Sequence, residues 1–166
     1  MVEAKDNLSL LIDEVLKQLF WQIADARLRK CKEYSTGDKD MCTVYTRSYK
    51  GLPMRFVFGA ERSMMQRIAE KMLEEPIEDP IELIEYMEEF SNIIFGHIAA
   101  AVIGGGKKPV RFYAPCFTEG SYMLENMREE MIAHHYENEY GENASLLYDK
   151  LLAEIIEKKD GGKEIE

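Results

Sequence analysis

The sequence predicts an α+β domain in which an antiparallel sheet, built from hairpins, is backed by two or three long helices. Three observations lead there. Stretches of helical apolar spacing open the chain and fill its middle, and β-branched and aromatic runs lie between and after them. No tandem repeat, linker or low-complexity segment divides the 166 residues. A chain of this length fits one domain and buries close to ~70% of its unfolded surface. The expected unit is 1–166, with the lysine- and glutamate-rich stretch 157–166 as a flexible, fraying or helical tail.

From about Leu8 to Lys32, apolar residues recur at helical spacing (Leu8, Leu11, Ile12, Val15, Leu19, Phe20, Ile23, Ala24, Leu28), and the turn-rich "STGDKD" follows. "MCTVYTRSY" and "PMRFVFG", separated by "KGL", carry the signature of a hairpin. Residues 60–74 return to helical period with Met64, Met65, Ile68, Ala69 and Met72 on one side. "EEPIEDP" breaks the chain before a second long helix over 81–103, which the glycines Gly104, Gly105 and Gly106 stop. "PVRFYAPCFTEG" is extended, with Pro115 and Gly120 at its far end, and "MLENMREEM" looks helical. The stretch "EMIAHHYENEYGENASLLYDKLL" fits two strands joined at "YGEN" or a pair of short helices. Its spacing does not decide, and strands up to about Tyr148 are the preferred reading.

Composition excludes several classes of function. With 46% hydrophobic and 31% charged residues, the chain is an ordinary soluble globular protein. The longest apolar run, Ile93 to Ile103 with His97 inside it, is far short of the ~18 residues of a membrane span. The acidic start "MVEAKDN" is unlike a signal peptide, so the expected location is cytoplasmic. A net charge of −10 argues against nucleic acid, since only "RLRK" and "GGGKK" approach a basic cluster and both sit at expected helix ends. Cys31, Cys42 and Cys116 form no CxxC pair and read as small buried hydrophobes. His134 and His135 would point to opposite faces of a strand, so no shared metal is expected. "GGGKKP" follows a helix and ends in Lys-Pro, unlike a phosphate loop. No Ser-His-Asp or Cys-His constellation can be assembled by spacing. Ten methionines suit an adaptable core or a partner groove, and Tyr136, Tyr140 and Tyr148 suit a sheet face or an interface.

The helix over 81–103 has two unlike faces. Leu83, Met87, Phe90, Ile94, Ile98 and Ala101 make an apolar stripe for the sheet. Opposite them run Glu82, Glu85, Glu89, Asn92 and Gly96. Carboxylates at i, i+3 and i+4 without an intervening cation repel by a few tenths of a kcal/mol. An interior asparagine costs roughly half a kcal/mol or more against alanine, and an interior glycine about 1 kcal/mol. Such costs on one face are those of a solvated surface or of a docking face. In the second case Gly96 removes bulk beside a polar probe.

The stretch "EFSNIIFG", followed some twenty residues later by "APCFTEG", resembles the CheX-like branch of the CheC/CheX/FliY chemotaxis phosphatases. In that family a helix carries E-x-x-N and then a glycine, and a strand with a proline and a glycine comes next. The order of long helix, glycine-containing hairpin, methionine-rich helix and motif helix is similar over roughly residues 8–120. The resemblance implies a CheC/CheX-like fold and hydrolysis of the phosphoaspartate of a CheY-like response regulator. It implies that Glu89 docks the regulator through an ion pair to a lysine and that Asn92 orients the attacking water. Glu85 and Gly96 are added from the helix wheel as partner-docking positions. Mg²⁺ is expected in the regulator, and this chain is expected to bind no cofactor or metal of its own. A homodimer is implied by the family alone. The alternative, a non-catalytic binding module for a receiver domain or another signalling partner, predicts docking without turnover.

Overall fold

A computed structural model describes residues 4–32, 40–104, 109–126 and 129–163. Helix α1 (Ala4–Ala24) leads into strand β1 (Arg29–Cys31), then β2 (Met41–Lys50), β3 (Arg55–Glu61), α2 (Arg62–Leu73) and α3 (Pro80–Ile103). Strands β4 (Arg111–Phe112) and β5 (Cys116–Glu119), helix α4 (Tyr122–Asn126), strands β6 (Met131–Glu137) and β7 (Asn143–Asp149), and helix α5 (Lys150–Lys163) complete it. The seven strands form one antiparallel sheet in the order β1-β6-β7-β3-β2-β4, with β5 also on β2. The expected α+β class, the β2–β3 hairpin and the two C-terminal strands are all present.

Strand alternation sorts the sheet into two faces. Cys42, Val44, Phe56, Phe58, Tyr136, Leu146 and Tyr148 point toward the helices and join Leu8, Ile12, Leu16, Phe20, Met65, Ile68, Phe90 and Ile94 in the main core. Met41, Val57, Met131 and Leu147 point the other way and pack with Leu124 of α4. Gly59 admits that short helix. A Cβ there would lie 2.7 Å from Leu124 Cδ1, so any larger residue would have to displace the Leu124 side chain from its place against β3.

Two expectations are corrected, the extent of the first helix and the burial of the cysteines. The first helix ends at Ala24 rather than near Lys32, and residues 29–31 are a strand. Asp25 adopts a left-handed conformation (φ 52°), and the Ala26 N–H donates back to the Phe20 carbonyl at 3.1 Å, which turns the chain. Leu28 is buried all the same, and its i+4 spacing from Ala24 extends the helical pattern past the turn. "RLRK" therefore lies beyond a helix end and partly in β1, where Arg29 pairs with Glu137 and Lys30 with Asp13. Helical backbone continues to Lys163, within the stretch 157–166 set apart as a flexible, fraying or helical tail, while 164–166 lie outside the described residues. Of the cysteines only Cys42 is buried; Cys31 is half-buried and Cys116 exposed at a sheet edge. Gly105 and Gly106 of the expected helix stop, and Lys107 and Lys108 of "GGGKK", fall outside the described residues.

Candidate functional site

Helix α3 begins and ends on local chemistry. The Asp79 carboxylate accepts from the Ile81 N–H at 3.0 Å, and Pro80 opens the first turn, where a missing N–H costs nothing. At the other end Gly104 takes φ 73° and its N–H donates to the Ala100 carbonyl at 3.1 Å. Aromatic packing fixes the rotation of the helix between these ends. Phe90 meets Phe20 of α1 edge to face at 5.1 Å, and Phe95 stacks on Phe56 of β3 at 5.2 Å. Leu83, Met87, Ile94 and Ile98 are buried with them. Ala101, expected in this stripe, is exposed; Phe95 and Ala99 are buried on that side instead, because α3 packs between α1, α2 and the sheet over a wide arc.

With the buried face fixed, the opposite face is fixed too. Asn92 lies two residues past Phe90, a rotation of about 200°, and is exposed. Glu85, Glu89 and Gly96 are exposed in the same line, and Glu82 is half-buried at its start. The four side chains Glu82, Glu85, Glu89 and Asn92 bond to none of the described residues. No described heavy atom outside the local helix lies within 4 Å of a Cβ placed on Gly96. Core packing therefore does not account for this glycine.

Sequence reasoning missed Glu88, which is next to Glu89 but off the acidic stripe. Its Oε2 accepts from the Phe117 N–H at 3.3 Å, tying α3 to the edge strand β5. On the other side of Asn92, Ser91 is buried and its hydroxyl has no partner among the described residues. A groove of about 440 Å³ opens beyond Gly96, between the last turns of α3 and the chain entering β4. Sequence reading missed it because its far wall comes from Pro109, Val110 and Phe112, outside the helix.

Other candidate sites resolve into structure. His134 and His135 do face opposite sides of β6: His134 contacts Asp13 and Tyr148 in the core, and His135 bonds to Ser145 on the other face. Asp13 also accepts from the Tyr136 hydroxyl and pairs with Lys30 at 2.9 Å. Burial alone would raise the Asp13 carboxyl, but these donors overcome it and hold it below its ordinary value. Burial, helped by Lys30, pushes His134 down against the opposing pull of Asp13. Burial and Asp13 push the Tyr136 hydroxyl far up. A hollow of about 350 Å³ lies among α1, α2 and the β6–β7 turn, but its charged lining is engaged: Arg67 bonds to Glu142 at 3.0 Å and covers the Tyr140 ring at 3.9 Å. Among the described residues no cluster of three or more His, Cys, Asp or Glu is arranged to hold a metal ion. None of the described helices is long and apolar enough to cross a membrane.

Solved structures with the same arrangement of elements exist. The chemotaxis protein CheX from Vibrio vulnificus superposes with a TM-score of 0.68 at 14% identity, over 86% of this chain and 98% of that one. The chain has the CheC/CheX fold. FliY from Thermotoga maritima shares it at a TM-score of 0.63 and 11% identity, over 92% of this chain and 91% of that one. The CheX–CheY–BeF3–Mg²⁺ complex from Borrelia burgdorferi also contains a similar chain (TM-score 0.61, 12% identity, 85% of this chain and 96% of that one). No family model and no curated protein matches the sequence. Within the CheC/CheX fold, the E-x-x-N stretch of this chain lies on the solvent face of α3.

Proposed function

We propose that this protein is a phosphatase for the phosphoaspartate of a CheY-like response regulator, with Asn92 orienting the attacking water and Glu89 docking the regulator. The observation that carries the reading is the free face of α3. Asn92 stands exposed, one turn from Glu89 and one from the bare backbone of Gly96, and bonds to none of the described residues. Similarity of fold to chemotaxis proteins, one of them in a complex with CheY, supports the choice of partner.

The chemistry suits an amide on a rigid helix. The water oxygen bonds to phosphorus as the bond to the aspartate oxygen breaks; the aspartate leaves as carboxylate, and the water's proton ends on inorganic phosphate. Phosphoryl transfer of this kind depends chiefly on positioning and charge stabilisation. The Asn92 amide can accept from the water and donate to a phosphoryl oxygen at once, and it does not titrate near neutral pH. Mg²⁺ held by the regulator would neutralise the phosphoryl oxygens. Glu89 would pair with a regulator lysine, keeping the two surfaces in register.

The test is phosphoaspartate decay on receiver domains charged by a small-molecule phosphodonor. Wild-type protein should accelerate decay, and Asn92→Ala should lose about a hundredfold of that acceleration, the scale expected when a positioned reactant is lost, with unchanged melting. Glu89→Ala should raise KM more than it lowers kcat. Equal decay with wild type and Asn92→Ala would sink the phosphatase reading. Receiver binding by the wild type without faster decay would replace it with the binding module.

A further inference from the structure

We infer that the groove beside Gly96 receives an apolar side chain from a loop bordering the phosphorylation site of the receiver domain, an inference that rests on the phosphatase reading. Position is the first argument. The rise of an α-helix puts Gly96 about 6 Å and Ala100 about 12 Å beyond Asn92. A stable interface covers about 800 Å² on each partner, a patch roughly 30 Å across. Centred on Asn92, such a patch reaches most of the groove.

The lining is the second argument. Gly96, Ala100 and Ile103 form one wall and Pro109, Val110 and Phe112 the other, and none of the described lining side chains is charged or polar. The same face of α3 is acidic on the other side of Asn92, at Glu85 and Glu89. A receiver docked there meets charge on one side of its phosphoryl group and an apolar slot on the other, which fixes its orientation as well as its distance. An anchor that fills a desolvated slot contributes more to binding than a contact left open to solvent. The small residues are the third argument. Gly96 and Ala100 keep the slot open at the cost of helix propensity at Gly96, and a Cβ on Gly96 would meet no described atom. The groove then selects among receivers: those with an aliphatic or aromatic residue at the matching loop position bind well, and those with a charged one do not.

The experiment is titration of beryllofluoride-activated, Mg²⁺-loaded receiver domains into the full chain and four variants. Ala100 is exposed and lines the groove, so Ala100→Trp plugs it without disturbing the core, and Ala100→Gln makes it polar as a second probe. Ala101 is exposed beside it and does not line it, so Ala101→Trp is the control. Expected are a Kd raised about tenfold by Ala100→Trp, a smaller rise for Ala100→Gln, and little change for Ala101→Trp. Asn92→Ala should bind like wild type while failing to accelerate decay. If both Ala100 variants bind like wild type while Asn92→Ala loses turnover, the groove inference falls and the phosphatase reading stands. If wild type binds no receiver, both fall. If Ala100→Trp instead changes the sedimentation of the protein alone, a second copy occupies the groove and the inference is overturned.

Discussion

Two polar clusters in this molecule are built in opposite ways. Asp13, Lys30, His134, Tyr136 and Tyr148 join α1 to β1, β6 and β7 through hydrogen bonds and an ion pair in and beside the core. Glu85, Glu89 and Asn92 stand along the outer face of α3, bonded to none of the described residues. Strongly shifted titrating groups often mark functional sites, yet here they mark the cluster that holds a helix to the sheet. The face with no partner among the described residues is the one with groups to offer another molecule. Partnering within the chain, rather than polarity, separates scaffold from site.

The largest expected effect that sharpens this contrast is on the paired side. Asp13→Ala strands the Lys30 ammonium and the buried Tyr136 and His134 groups, and should cost about 3 kcal/mol of stability. Denaturant melts read that loss, and any phosphoaspartate decay measured on the still-folded fraction should not change. Acid should act on the same cluster. Burial lowers His134 in the folded state, so below its ordinary value of 6.5 the unfolded chain takes up a proton that the folded chain refuses. Unfolding free energy rises with pH wherever the unfolded state binds more protons, so stability should be full above about pH 6.5 and fall as pH drops from there. The lowered Asp13 carboxyl adds a second loss below its ordinary value of 3.8. Asp13, Lys30, Tyr136, Tyr148 and His135 surround the imidazole, and His134→Gln should flatten the first segment of a pH–stability curve. A curve unchanged by that substitution would assign the acid loss elsewhere.

On the unpartnered side the signs reverse. Gly96→Ala meets no described atom and should stabilise the fold by about 0.5–1 kcal/mol through helix propensity, while weakening the action on a receiver. A variant that is both more stable and fully active would break the contrast. The smallest effect belongs to Glu85→Lys, which turns one like-charge spacing with Glu89 into an attractive one and should gain about 0.3 kcal/mol. Receiver docking should weaken all the same.

Much of the fold was legible because its signals are local. The Asp79-Pro80 start and Gly104 end of α3, the β2–β3 hairpin and the methionine face of α2 are each written within a few residues. The orientation of the α3 face was legible because one helical period sorts Phe90 and Ile94 from Glu89 and Asn92. What failed was non-local. Leu28 keeps helical spacing with Ala24, so only the left-handed turn at Asp25 reveals that β1 has begun. The exposure of Ala101, the tie from Glu88 to Phe117 and the far wall of the groove all depend on where distant strands lie.

One pairing also sets the order in which the sheet is completed. Strand β3 lies between β2, its hairpin partner, and β7, which follows α3 in sequence, with Phe56 opposite Tyr148. Helix α3 lies in the long loop that this pairing closes. Closing a loop of that length is entropically costly and slow compared with forming the hairpin. Strand β3 therefore waits for its second partner until residues as far as Tyr148 have left the ribosome and folded back onto it.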